Sequence, residues 1–178
     1  MTNTPLKKQP YKFFSITHLA VTMFGLGRIK YMPGTIASLV TTAYFYMFIL
    51  IGDLNFLEHY FYLLIVTAAA FPFTSSYINK TGVKDPKEVV IDEYCGQYLA
   101  LLISTQFYFS FFSNTDYVLV LVIFAFIFFR VFDIVKPSYI GYCDKNYSGA
   151  LGVMLDDLVA GVAAGFTTIF AMSLLHLV

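Results

Sequence analysis

Two adjacent pairs of carboxylates are the clearest candidates for chemistry in this sequence. Asp92 and Glu93 lie in Val-Val-Ile-Asp-Glu-Tyr-Cys-Gly, and Asp156 and Asp157 lie in Val-Met-Leu-Asp-Asp-Leu-Val-Ala-Gly. Clustered carboxylates repel one another unless protons or cations compensate them, and hard oxygen ligands suit Mg²⁺. We therefore interpret these four residues as ligands of one or two Mg²⁺ ions. The alternative is that each pair only stabilises the N-terminus of a helix, by about 0.3–1 kcal/mol per acid.

A mixed-charge segment, Phe-Arg-Val-Phe-Asp-Ile-Val-Lys-Pro, follows at residues 129–137. Arg130, Asp133 and Lys136 are spaced by three, so they share one face of a continuing helix, which Pro137 then ends or kinks. The two cations can capture a phosphate, the arginine as a planar fork and the lysine as a point charge. They can also be a local ion-pair network at a membrane boundary. Beside a metal cluster, we favour phosphate binding.

The turn Met-Pro-Gly-Thr-Ile-Ala-Ser at residues 32–38 is a third candidate. Thr35 is placed to cap a helix that starts here, and the first backbone N–H groups of that helix can receive an anion. A plain helix cap without a ligand is the simpler interpretation. We assign Thr35 to the phosphate-binding residues.

The composition shows what must position these residues. The chain is 58% hydrophobic and only 12% charged, with a formal net charge of zero. Soluble domains carry about 25% charged residues, so the composition favours a membrane protein. Nucleic-acid binders are normally clearly basic, so the net charge argues against a nucleic-acid partner.

The predicted fold class is all-α, a polytopic membrane helical bundle. About 20 apolar residues are needed to cross a bilayer, and about five stretches approach or reach that length. They are approximately Ile36–Ile51, Leu57–Ile78, Glu93–Phe112, Tyr117–Val135 and Leu151–Val178. Residues 13–24 are predicted to form an additional short or interfacial helix. Within the last stretch, Ala160, Gly161, Ala164 and Gly165 form a small-residue face for helix packing.

The distribution of basic residues predicts the topology. In the five-span arrangement all 11 Lys and Arg fall on one side of the membrane. The positive-inside rule places that side, together with the N-terminus, in the cytoplasm. Both carboxylate pairs fall at the same cytoplasmic face, and residues 1–12 are predicted to be a cytoplasmic tail.

Taken in order, these segments resemble the phosphatidylglycerophosphatase A family over about residues 15–165. The resemblance is carried by Thr17–Ala20, Pro33–Leu39, Val90–Gly96, Phe129–Pro137, Asp144–Asn146, Gly149 and Gly152–Gly161. It implies a single membrane-embedded lipid phosphatase domain over residues 1–178. The implied reaction is Mg²⁺-dependent removal of the terminal phosphate of phosphatidylglycerophosphate, giving phosphatidylglycerol, at the cytoplasmic face of the bacterial inner membrane. The sequence leaves the oligomeric state undetermined.

Three further roles follow as hypotheses. Asp133 or Asp144 acts as general base or completes the metal shell, and His18 protonates the leaving alkoxide. Direct attack by water and an aspartyl-phosphate intermediate both remain open.

Two other functions compete with the phosphatase. An ion or metal transporter would distribute acids through the membrane depth, whereas these acids collect at one face. A phosphatidyltransferase of phospholipid synthesis would show a signature resembling Asp-Gly-x-x-Ala-Arg. Here Leu-Val-Ala-Gly follows Asp156 and Asp157, with no arginine.

Overall fold

A computed structural model describes residues 15–52, 54–83, 85–111 and 115–175, without side-chain placement for residues 138, 144 and 145. The predicted tail, residues 1–12, lies outside the described residues. Over the described part the protein is all-helical, as predicted. The helices are α1 (Ile16–Val21), α2 (Pro33–Ile51), α3 (Phe56–Thr81), α4 (Ile91–Phe111), α5 (Val118–Val135), α6 (Ser138–Asn146) and α7 (Ala150–Leu174), with a 3₁₀ turn at Leu26–Arg28.

Four helices, namely α2, α3, α5 and α7, are long and apolar enough to cross a membrane. The remaining predicted span corresponds to α4, which has 21 residues and contains Gln97 and Gln106. Helix α4 packs against each of the other four long helices, most extensively against α7. Because its neighbours surround it, α4 needs less apolar surface than a helix that faces lipid.

Glycines determine how closely α4 and α7 approach. A Cβ atom on Gly161 would lie 2.3 Å from the backbone oxygen of Gly96, and one on Gly96 would lie 2.5 Å from that of Asp157. Ala160 and Ala164 are fully buried beside them. The predicted small-residue packing face is therefore confirmed. This contact places the first turn of α4 beside the second turn of α7, and so brings the two carboxylate pairs together.

Two local predictions need correction. Thr35 does not cap α2, because the helix begins at Pro33, Met32 is the N-cap, and Thr35 lies within the first turn. Proline is favoured at the first helical position since its fixed φ suits the helix and its missing N–H costs nothing there. Lys136 does not continue α5 but caps it, with a φ of 48°. The next helix, α6, starts just after Pro137 and has no counterpart among the predicted elements.

The N-terminal helix is shorter than predicted. Helix α1 covers only six residues, and Ser15 caps it by accepting a hydrogen bond from the backbone N–H of His18. A turn with positive φ at Met23 and Phe24 follows. The backbone N–H of Val90 donates to the Val21 oxygen at 2.9 Å, which fixes the end of α1 to the segment that leads into α4.

Candidate metal and phosphate site

The ends of several helices surround one polar cavity of about 890 Å³. The first turns of α2 and α4, the end of α5 and the second turn of α7 all contribute to its wall. Most of the predicted site residues line it together, and these are Thr35, Asp92, Glu93, Arg130, Asp133, Lys136, Asp156 and Asp157. Residues that lie far apart along the chain therefore form a single site, as the sequence predicts.

Three carboxylates form the centre of this cavity. Asp92, Glu93 and Asp157 each offer one oxygen, and these oxygens lie within 4.8 Å of one another. Asp92 and Asp157 are buried, with 7% and 4% of their surface exposed. Such a set of converging hard oxygen ligands can hold a divalent metal ion.

Buried oxygen atoms in this group lack hydrogen-bond donors. Neither Oδ1 of Asp92 nor Oε2 of Glu93 has a hydrogen-bond partner among the described residues. An unpaired buried carboxylate oxygen is costly, and a cation is the natural compensation. The residues present therefore fit a hard divalent cation such as Mg²⁺.

The carboxylates also lie close enough to repel one another. Electrostatic repulsion acts between Asp92 and Glu93 and between Asp157 and Asp133. Neighbouring ionised carboxylates are therefore stable together only where a proton or a cation compensates their charge. Asp133 therefore extends the group of three toward the basic residues of α5.

Gly34 leaves the space that the Glu93 carboxylate occupies. A Cβ atom on Gly34 would lie 2.0 Å from Oε1 of Glu93. The carboxylate thus lies directly against the first turn of α2, whose end carries no side-chain cap. The positive end of a helix dipole favours negative charge at this position.

Two ion pairs hold the basic residues in the cavity wall. Arg130 Nη1 lies 2.6 Å from Asp133 Oδ2 and also donates to Ser38 Oγ at 3.3 Å. Lys136 Nζ donates to Asp156 Oδ2 at 2.5 Å. Asp156 therefore lies in the cavity but outside the group of three converging carboxylates, and its role as a metal ligand stays a prediction.

Of the two remaining predicted residues, one lies outside the cavity and the other has no described side chain. His18 is buried and does not line the cavity; its Nε2 lies 3.7 Å from Glu88 Oε2, and its ring is near that of Tyr77. Asp144 belongs to α6, and its side chain lies outside the described residues. The catalytic roles of both residues stay predictions.

Sequence reasoning missed three polar residues that belong to this region. Asp85 and Lys87 line the cavity from the segment between α3 and α4, and Ser38 accepts the hydrogen bond from Arg130. Asp85 and Lys87 belong to no motif, so only tertiary structure reveals them. Ser38 lies three residues after Thr35 of the Pro-Gly-Thr turn, in the second turn of α2, and this position is the only signal in the sequence.

The fold and the site define a class: an α-helical membrane protein with a carboxylate cluster suited to a divalent cation and basic residues suited to a phosphate group. Comparison with known proteins identifies the family. The Phosphatidylglycerophosphatase A family matches residues 19–172, and the chain belongs to that family.

Individual relatives agree with this assignment. Phosphatidylglycerophosphatase A of Haemophilus influenzae is 32% identical over 167 residues, which cover 91% of each protein. The protein of the same name from Escherichia coli K12 is 29% identical over 158 residues, covering 87% of this chain and 83% of the relative. A putative phosphatidylinositol-3-phosphatase of Bacteroides thetaiotaomicron is 34% identical over 148 residues, covering 79% of this chain and 84% of the relative. No solved structure matches the chain.

Proposed function

We propose that this protein is a Mg²⁺-dependent phosphatase that hydrolyses the terminal phosphate of phosphatidylglycerophosphate. The observation that carries the proposal is the convergence of Asp92, Glu93 and Asp157 in one cavity with Arg130 and Lys136. The names of the two family relatives supply the substrate. The products are phosphatidylglycerol and inorganic phosphate.

The metal would be held by the three converging carboxylates. Bound Mg²⁺ supplies a Lewis acid that polarises a phosphate oxygen and lowers the barrier to attack by water. Arg130 and Lys136 neutralise the remaining charge of the phosphate, which is mainly a positioning and electrostatic task. Asp133 holds the guanidinium of Arg130 in place through the 2.6 Å contact.

Asp133 is our choice for the proton acceptor. It lies in the cavity, pairs with Arg130 and interacts electrostatically with Asp157, so its carboxylate is next to both the proposed phosphate-binding and the proposed metal-binding groups. The proton of the attacking water passes to the carboxylate as the bond to phosphorus forms. The bond from phosphorus to the glycerol oxygen then breaks, and the alkoxide takes up the proton that the Asp133 carboxyl releases, which restores the carboxylate.

We also propose that the cavity faces the cytoplasm. Its wall contains Lys87, Arg130 and Lys136, and the positive-inside rule assigns such residues to the cytoplasmic side. In bacteria this places the protein in the inner membrane as a multi-pass enzyme.

Labelling of a single cysteine introduced at Lys87 by a membrane-impermeant reagent tests the orientation. Labelling in intact cells with a permeabilised outer membrane would place the site on the opposite side.

Phosphate release by the purified, detergent-solubilised protein tests the reaction. We expect the protein to release phosphate from phosphatidylglycerophosphate with Mg²⁺ and to release none with EDTA. The rate of release should fall at least about 100-fold in Asp157→Asn, because the variant loses a charged metal ligand while the side chain keeps its shape. Turnover by Asp157→Asn at the wild-type rate would refute the site. Phosphatidylinositol 3-phosphate belongs in the same assay, since one relative carries that name. Preference for it would replace the proposed substrate while leaving the chemistry intact.

A further inference from the structure

A second cavity lies on the lipid-facing side of the bundle, between α2 and α3. It has a volume of about 440 Å³, within the range of about 300–1,000 Å³ that is usual for sites binding small molecules. Its wall is almost entirely apolar. The lining residues are Ala20, Met23, Phe24, Leu26, Val40, Thr41, Tyr44, Tyr62, Val66, Ala69, Ala70, Phe73, Ile91 and Tyr94. We call it the α2–α3 groove.

The groove exists because two consecutive helices diverge. Helices α2 and α3 each pack on α4 but make few contacts with one another. The first turn of α4 therefore forms the floor, with Ile91 and Tyr94 facing the groove. The Tyr94 and Tyr62 hydroxyls hydrogen-bond to each other at 2.7 Å, so these two polar groups in the wall are satisfied. Val40 and Ala69 are exposed at the rim, so the groove is open to the lipid.

The groove adjoins the carboxylate cluster. Ile91 in its floor directly precedes Asp92, which lies in the polar cavity. The first turn of α4 therefore faces the apolar groove on one side and the metal and phosphate site on the other. A molecule with a phosphate head and an apolar tail would match this order, with its phosphate in the polar cavity and its tail in the groove.

The turn that follows α1 closes the end of the groove. Met23 and Phe24 both line it and have φ values of 47° and 58°. These values belong to the cap of α1, in which the backbone N–H groups of Met23 and Phe24 donate to the backbone oxygens of Ala20 and Leu19 at 3.2 and 2.8 Å. The Phe24 side chain is 89% exposed, so its apolar ring is available to a ligand in the groove.

From these observations we infer that the α2–α3 groove binds an acyl chain of the phospholipid substrate while its phosphate lies in the polar cavity. The inference rests on the proposed function. An apolar occupant fits best, because the groove lies between membrane-spanning helices, its wall is almost entirely apolar, and the Tyr62, Tyr94 and Thr41 hydroxyls are already hydrogen-bonded. The bilayer supplies acyl chains at this depth, and a chain that enters sideways keeps its headgroup next to Asp92.

Substitution of two adjacent alanines tests this inference. Ala69 lines the groove and Ala68 is exposed on the same helix outside it, so Ala69→Phe and Ala68→Phe add the same bulk on either side of the rim. The substrates are phosphatidylglycerophosphates with two palmitoyl or two hexanoyl chains. We expect Ala69→Phe to lower kcat/KM for the long-chain substrate about 10-fold or more, since a misplaced substrate reacts slowly. Hydrolysis of the hexanoyl substrate should stay within about 2-fold of the wild type, because its short chains bury few methylene groups and gain little from the groove. Ala68→Phe should leave both rates unchanged.

Equal losses on both substrates, or equal effects of the two variants, would overturn the inference. A second measurement does not depend on a variant that folds. Wild-type protein in nanodiscs is irradiated with phosphatidylglycerol whose acyl chain ends in a diazirine, and the labelled peptides are identified. More label at residues 62–73 than on the exposed face of α5 would support binding of an acyl chain in the groove. Equal labelling of the two regions would show only contact with bulk lipid and would overturn the inference. Because labelling needs no turnover, it separates failure of the groove from failure of the proposed reaction.

Discussion

Gly34→Ala offers a sharp test of the metal site because it adds a single methyl group. The new Cβ atom would lie 2.0 Å from Glu93 Oε1, 2.9 Å from Cδ and 3.3 Å from Cγ. Ordinary van der Waals contact begins near 3.4 Å. The carboxylate must therefore move by about 1.4 Å, away from the first turn of α2.

Such a displacement is large for a metal ligand. Mg²⁺ requires oxygen ligands at about 2.0–2.1 Å in nearly ideal octahedral geometry, so Glu93 would be lost as a ligand. A misplacement of 1 Å can cost about 100-fold in rate, and we expect kcat/KM to fall by at least that factor. Stability should change little, because the clashing atoms are at the end of a side chain. We expect Tm without metal to shift by no more than about 4 °C, which corresponds to roughly 1 kcal/mol for a chain of this size.

The assay combines phosphate release with a Mg²⁺ titration of Tm, which reports binding without turnover. Glu93→Ala provides the matched control. If Gly34→Ala acts only by displacing Glu93, the double variant should equal Glu93→Ala in both measurements, since neighbouring effects through one group are not additive. Wild-type kcat/KM in Gly34→Ala, or additive losses in the double variant, would refute the assigned role of Glu93.

Two further predictions concern the phosphate-binding lysine and the helix contact. Lys136→Ala should lower kcat/KM about 10- to 100-fold, because a charge-assisted hydrogen bond contributes about 1.5–3 kcal/mol. Lys80→Ala is the control, since Lys80 is exposed at the end of α3 and does not line the cavity; equal kinetics of the two variants would contradict the role. Gly161→Ala places a Cβ atom 2.3 Å from a backbone oxygen that cannot swing away, so it should destabilise the protein by about 1–3 kcal/mol. Thermal unfolding measures this loss, with Val162→Ala at the partly exposed neighbouring position as the control. An unchanged Tm in Gly161→Ala would argue against the close α4–α7 contact.

Much of the candidate site could be predicted because its chemistry is concentrated in short segments. Adjacent acids such as Asp92 and Glu93 are rare near a membrane boundary, where charge is costly, so their presence alone indicates a function. The helices were predictable for a similar reason, since a span must be apolar over its whole length. Helix ends were less predictable: the cap at Thr35 was wrong because Pro33 starts the helix earlier.

The sequence by itself determined the class of protein and the number of long helices, because the bilayer imposes length and polarity on every span. Only the tertiary structure decided which acids converge. It places Asp157 with Asp92 and Glu93 but directs Asp156 to Lys136, a distinction between neighbours that depends on side-chain direction around α7. The groove between α2 and α3 was equally invisible, because the divergence of two helices depends on how each packs against α4. Spacing along a chain fixes which residues share a helix face, whereas packing between helices fixes what each face meets.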